Sequence, residues 1–189
     1  ASPKIMFYQS PDNIWFAGGG YLPWLGKPFH KYYGEKETGQ VKTTMEVDWV
    51  SGCCMLIKRE VLEKIGLLDA DYFNNCEDVD FCVRTKKAGY KIIIVPKAKI
   101  YHKFAASMGG KSSPLYTYFR TRNLLLFLKK TGQRLPLILN FKIFPVYSVI
   151  ESLRNRQFES IRATFAALKD FTIGNYGIGS AANFRIGDE

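Results

Sequence analysis

Residues 76–96, CEDVDFCVRTKKAGYKIIIVP, constrain the fold more than any other stretch. Glu77, Asp78 and Asp80 open the run, Lys86 and Lys87 close it, and Gly89 follows. That is the charge order a helix dipole favours, with the residue type that ends helices. Val79, Cys82 and Val83 stand at i, i+3, i+4 and would face a core. KIIIVP then reads as a buried strand ended by Pro96. On helical spacing Asp78 and Asp80 leave in different directions, and Asp80 stands one turn before Arg84, at the spacing of an intrahelical pair. The acids themselves admit three readings: metal ligands, a helix N-terminal cap, or a catalytic base.

The flanking sequence supplies further elements. Short apolar runs at 5–8 and 14–17 are strand-like and separated by a turn. Gly18, Gly19 and Gly20 form a loop joining strands, because Pro23 and the aromatic residues leave no helix to make a phosphate cradle. Residues 27–44 lack apolar period and read as a surface loop, with His30 exposed. Strand signals follow at 47–50 and 53–57, interrupted at Gly52, then a helix over 59–65 closed by Gly66. After KIIIVP comes a second extended piece, AKIYHKF, carrying His102. A small-residue loop leads to a helix running from Pro114 to Gly132, and helices are expected at 136–152 and 157–170 before a glycine-rich tail that frays.

Charge is unevenly distributed. The chain carries a net +10; residues 1–99 hold 14 Lys/Arg against 12 Asp/Glu, whereas residues 100–189 hold 13 against 5. A basic C-terminal half suits a polyanionic partner such as a diphosphate or an anionic membrane surface. No basic block or RNA-binding signature accompanies it, so no nucleic acid partner is expected. The four cysteines, at 53, 54, 76 and 82, match no zinc spacing and read as reduced thiols of a cytoplasmic protein. The apolar stretch 135–150, broken by Lys142 and Pro145, is too short to span a bilayer and is not expected to be a transmembrane helix; it reads as buried core or as an interfacial segment.

The ordered series EVDWVSGCCMLIKREVLEKIGLLDADYFNNCEDVDFCVRTKKAGYKIIIVPKAKIYHK, followed by a helix containing Arg122 and Asn123, resembles the C-terminal half of family-2 inverting glycosyltransferases. More narrowly, it resembles rhamnosyltransferase-type members that build surface polysaccharides. The resemblance implies an α/β fold of the GT-A type: a mixed sheet with flanking helices, here followed by C-terminal helices. It divides the chain into residues 1–132, the acceptor-side half of a catalytic domain, and 133–189, a basic helical extension. The family's nucleotide-binding half, with its Asp-x-Asp metal motif, has no counterpart. The only such triplets are Asp69 to Asp71 and Asp78 to Asp80. The chain is therefore expected to be a fragment of a longer enzyme, inactive alone.

Within that resemblance Asp78 is the general base and Glu77 its catalytic neighbour. Inverting transfer needs an acceptor hydroxyl deprotonated as it attacks the anomeric carbon, and a positioned carboxylate contributes about 10²–10⁴-fold. The structural alternative is a pair of acids decorating a helix N-terminus, worth roughly 0.3–1 kcal/mol. His102 matches a position near the metal or the diphosphate. Trp49 and Gly52 resemble a sugar-binding wall, with core packing as the alternative for Trp49. Arg84 either pairs with Asp80 or faces a phosphate, and Arg122 makes diphosphate or helix-packing contacts. The implied cofactor is Mg²⁺ or Mn²⁺, expected only with the Asp-x-Asp half. The implied partners are a nucleotide-diphospho-sugar donor and a glycan or polyprenyl-diphosphate-linked acceptor, met at the inner face of the cell membrane. A module that keeps the fold and binds acceptor without catalysis is the competing class.

Overall fold

The computed structural model describes residues 1–22, 24–104, 108–110 and 113–184. The chain forms two compact units: Ala1–Leu22, Lys27–Asp69 and Glu77–Phe104 in the first, Pro23–Gly26, Ala70–Cys76 and Ala105–Glu189 in the second.

The first unit is mixed α/β. Its four-stranded sheet has the order β2-β1-β6-β5, from β1 (Ser2–Phe7), β2 (Ile14–Phe16), β5 (Met45–Glu46) and β6 (Ile93–His102). Strands β1 and β6 are parallel, while β2 and β5 lie antiparallel at the edges. Ile5, Met6, Ile14, Phe16 and Ile94 are buried at its centre. Helices α1 (Arg59–Ile65) and α2 (Glu77–Lys87) belong to this unit, and α2 occupies the span its charge order predicts.

Several local expectations are corrected. KIIIVP does not stop at Pro96; β6 continues to His102. The pairing steps from Pro3↔Val95 to Lys4↔Lys99, so Pro96, Lys97 and Ala98 lie in a bulge. Proline has no N–H for the ladder, and a bulge accommodates it without ending the strand. Part of the expected surface loop 27–44 is strand β4 (Lys27–His30), which pairs with β3 (Gly19–Leu22) in a hairpin. His30 is not an exposed loop residue: its ring packs edge-on against Trp15, Phe16 and Trp49, and its Nδ1 lies 3.0 Å from the Trp15 carbonyl. Neither 47–50 nor 53–57 forms the expected strand: the backbone bends at Asp48, and Trp49 makes a single bridge to Gly19.

The second unit is helical: α3 (Pro114–Lys130), α4 (Arg134–Arg154), α5 (Phe158–Ile173) and a 3₁₀ turn, Gly179–Asn183. Ser113 caps α3 by accepting from the Tyr116 N–H at 3.0 Å, with Pro114 in the first turn. Helix α3, grouped by sequence with residues 1–132, lies in this unit with α4 and α5. Helix α4 runs through Pro145 for 21 residues and buries only Asn140, Pro145, Ser148 and Ser152. The expectation of a core segment at 135–150 is thus overturned, and the helix is longer than the apolar run suggested. Parts of the small-residue loop (105–107, 111 and 112) and of the tail (185–189) lie outside the described residues.

Candidate active site

Three ties align segment 48–52 with α2. Lys86 Nζ donates to Asp48 Oδ1 at 2.7 Å, the Val50 N–H to Cys82 Sγ at 3.4 Å, and the Gly52 N–H to Asp78 Oδ2 at 2.8 Å. Every second residue of the segment meets every fourth of the helix. Residues 48, 50 and 52 thus meet successive turns of one face of α2 at 86, 82 and 78. Alternation in VDWVSG therefore sets the registry that brings Gly52 to Asp78.

Asp78 sits in the first turn of α2, half-buried. Oδ2 accepts from Gly52 and Oδ1 from the Val79 N–H, also at 2.8 Å. Desolvation pushes its carboxyl above the ordinary carboxylate range, and the backbone N–H groups of Gly52 and Val79 hold the rise in check. A Cβ on Gly52 would stand 3.4 Å from Asp78 Cβ and 3.6 Å from Oδ2. Gly52 thus serves Asp78 directly, donating one hydrogen bond and leaving space beside the carboxylate. Burial also pushes the Cys82 thiol up to about 12, which makes it an inert packing group. Glu77 opens the helix beside Asp78, half-buried.

Asp80 takes the other direction that helical spacing assigned. It is buried and accepts from Arg84 Nε at 2.8 Å, while Arg84 Nη1 and Nη2 donate to the carbonyls of Ile65 and Leu67 at 2.9 and 3.0 Å. All three guanidinium nitrogens are engaged within the unit, and the bond to Asp80 is the intrahelical pair. Trp49 likewise resolves toward core packing. It is 4% exposed, its Nε1 donates to Gly20 O at 3.1 Å, and its ring lies so close that a Cβ on Gly19 would be 2.0 Å from Trp49 Cε2. The glycine run exists for this close approach. It leaves Trp49 no face for a sugar.

His102 ends β6, half-buried, with its ring centroid 4.5 Å from Trp15 and 6.2 Å from Phe104. Desolvation lowers its pKa, so near neutrality the imidazole is uncharged, the form that ligates metals. It fits as one ligand. Among the described residues, however, no group of three or more His, Cys, Asp or Glu side chains could hold an ion, so those residues do not by themselves complete a shell for Mg²⁺ or Mn²⁺. Sequence reasoning gave Trp15 no role. It is a buried indole edge-on to both His102 and His30, and its Nε1 has no hydrogen-bond acceptor among the described residues. Nothing in the local sequence marks it, because its position depends on the return of β6.

In the second unit Arg122 is fully buried. Its Nε donates to Asn123 Oδ1 at 2.9 Å, Nη1 to Tyr118 Oη at 3.1 Å and the Asn175 carbonyl at 3.5 Å, and Nη2 to the carbonyls of Gly177, Tyr72 and Asp71 at 2.7, 3.1 and 3.3 Å. Asn123 Nδ2 adds contacts to the carbonyls of Tyr72, Asn74 and Asn75 at 2.7, 2.6 and 3.0 Å. Phe73, Asn75 and Cys76 all have positive φ, at 62°, 74° and 76°. Such a run of non-glycine residues is strained, and the carbonyls it presents are held by this Arg-Asn pair. Arg122 is therefore a packing residue, with no nitrogen left for a diphosphate.

Comparisons with known proteins identify the family. A family model described as "Glycosyltransferase like family 2" matches residues 18–121, more than half of the chain and the whole of α2 and β6. The N-acetylglucosaminyl-diphospho-decaprenol L-rhamnosyltransferase of Mycobacterium tuberculosis is 36% identical over 87 residues, 46% of this chain and 28% of that protein. The dTDP-rhamnosyl transferase RfbF of Shigella flexneri is 30% identical over 168 residues, 79% and 54% respectively. Rhamnosyltransferase WbbL of Escherichia coli K12 is 36% identical over 56 residues, 30% and 21%. The chain thus spans about half the length of RfbF and less of the other two. The mixed sheet with flanking helices is consistent with a GT-A fold, and the chain belongs to glycosyltransferase family 2, rhamnosyltransferase-like.

Proposed function

We propose that this chain supplies the acceptor side and the general base of an inverting glycosyltransferase in polysaccharide synthesis. The enzyme moves a sugar from a nucleotide-diphospho-sugar to a glycan or lipid-linked glycan. Two relatives carry rhamnosyltransferase names, and a third is named N-acetylglucosaminyl-diphospho-decaprenol L-rhamnosyltransferase, which supports rhamnose as the sugar and a polyprenyl-diphosphate-linked acceptor. The observation that carries the reading is Asp78: a carboxylate on a helix N-terminus, fixed by two backbone donors, raised in pKa by desolvation, with a glycine opposite it.

One oxygen of Asp78 takes the proton of the acceptor hydroxyl while the oxygen of that hydroxyl bonds to the anomeric carbon. The bond from this carbon to the diphosphate breaks, and the nucleoside diphosphate departs with the electron pair from the opposite face, inverting the centre. A raised pKa improves the carboxylate as a base near neutrality, and hydrogen bonds from Gly52 and Val79 hold it in one orientation. Glu77 flanks it in the same turn. A divalent cation, when bound, would neutralise the departing diphosphate, with the neutral imidazole of His102 as this chain's contribution to its shell.

Asp78→Asn in the full natural polypeptide tests the assignment. Oδ1 of asparagine still accepts one backbone bond but cannot take a proton. Donor turnover is expected to fall by about 10²–10⁴-fold with donor affinity kept. Transfer within a few-fold of the parent removes Asp78 as base and leaves acceptor binding without catalysis as the better account.

A further inference from the structure

Helix α4 is built inside out. Its buried residues are polar or small, Asn140, Pro145, Ser148 and Ser152, while Ile138, Ile143, Val146, Ile150 and Leu153 are each more than half exposed. Helix α5 repeats the arrangement: Ser160, Ala163, Thr164 and Ala167 are buried, and Phe158, Phe165 and Ile173 are exposed. The two helices meet through Ser148 Oγ and Thr164 Oγ1 at 2.9 Å. Against water this is the wrong way round, since amphipathic helices turn their large apolar side chains inward. In contact with hydrocarbon it is the stable order: helices approach on small residues four apart, join through Ser and Thr hydroxyls, and send bulk outward.

We propose that the outward face of α4 and α5 is seated in the headgroup–acyl boundary of an anionic bilayer. Charge decides for lipid over a second copy of the chain. Exposed Arg134, Lys142, Arg154 and Arg156 run along and just past α4, with Glu151 the one acid between them. A second copy on this face would bring like cations together, whereas anionic headgroups neutralise them at about 1 kcal/mol per residue near the surface. The pair lies on the bilayer. Helix α4 is long and apolar enough to cross by length and composition, but α5, packed along it, exposes Glu159, Arg162 and Lys169, which crossing would carry into hydrocarbon. Lys142 sits among apolar neighbours on α4, and a lysine stem can bury along apolar surface while its ammonium reaches the headgroups.

Flotation of the chain with lipid vesicles tests the proposal. Vesicles containing phosphatidylglycerol are expected to carry it, and pure phosphatidylcholine vesicles to carry much less. Ile143→Ser combined with Ile150→Ser should weaken binding to the anionic vesicles at least ~10-fold, and Lys142→Ala with Arg154→Ala should abolish the preference for them. Val146→Ser with Leu153→Ser is the second apolar pair, used if circular dichroism shows the first to be unfolded. Equal flotation of parent and apolar variant, flotation with neither vesicle, or equal flotation with both overturns the proposal. So does a dimer in sedimentation that ignores vesicles and is dissociated by the apolar variant, which assigns the face to a second copy. The inference stands apart from the transfer reaction: Asp78→Asn is expected to float as the parent does, so failure of the base and failure of the membrane face are separable.

Discussion

Replacing Arg122 with Leu separates a phosphate-binding arginine from a packing one. The side chain is fully buried and its three nitrogens contact six acceptors, four of them main-chain carbonyls. Tyr118 Oη, which accepts from Arg122, itself donates to Asp170 Oδ2 at 2.5 Å. Asp170 also accepts from the Ser180 N–H at 2.7 Å and is held below the ordinary carboxylate range by bonds from Tyr118 and Ser180 that outweigh its desolvation. Leucine fills much of the volume but leaves the carbonyls of Tyr72 and Gly177 without these donors and the buried Asp170 without a nearby cation. Removing one member of such a network costs about 3–5 kcal/mol. At about 2–4 °C per kcal/mol for a chain of this size, the thermal midpoint should fall roughly 10 °C. Arg122→Lys keeps the charge but loses the planar fork, so it should recover only part of the loss. Differential scanning calorimetry of the three proteins, with donor binding measured below the midpoint, checks this. A midpoint within 2 °C of the parent, accompanied by lost donor affinity, would refute the packing role and restore Arg122 as a diphosphate ligand.

Two further perturbations probe the first unit. Because desolvation raises Asp78 in the folded state, the native protein binds a proton there more readily than the unfolded chain. Its contribution to stability is full below the unfolded pKa of about 3.9 and is lost as pH rises through the folded value. Urea unfolding across that window should show Asp78→Asn gaining on the parent as pH rises, and parallel curves would contradict the raised pKa. Gly19→Ala would place a methyl 2.0–2.4 Å from three atoms of the Trp49 ring, and overpacking of this kind should cost about 3 kcal/mol in the same assay. A loss under 1 kcal/mol would show that the indole can move.

Much of the candidate site was legible because it rests on local periodicity. The charge order of residues 77–87 marked α2 and gave the divergence of Asp78 from Asp80, and the i, i+4 spacing gave the Asp80–Arg84 pair, all of which depend only on helix geometry. The distant donor to Asp78 was not legible. Gly52 lies 26 residues upstream, and only the matched advance of segment 48–52 along α2 brings its N–H to Oδ2. His30 and Trp49 misled for a related reason. A polar-flanked histidine and an aromatic near a glycine look like surface and sugar-wall residues, yet both are drawn into one aromatic cluster by the β3–β4 hairpin and the bridge at Gly19.

By itself the sequence determined the family, the helix that carries Asp78, and the concentration of positive charge beyond residue 100, since each follows from residue types at fixed spacing along one chain. Only the tertiary structure decided what Arg84, Arg122 and Trp49 contact, that β6 bulges past Pro96 instead of ending, and that α4 turns its large apolar side chains outward. Those outcomes depend on which distant groups compete for the same donors and the same buried volume, and that competition exists only once the chain is folded.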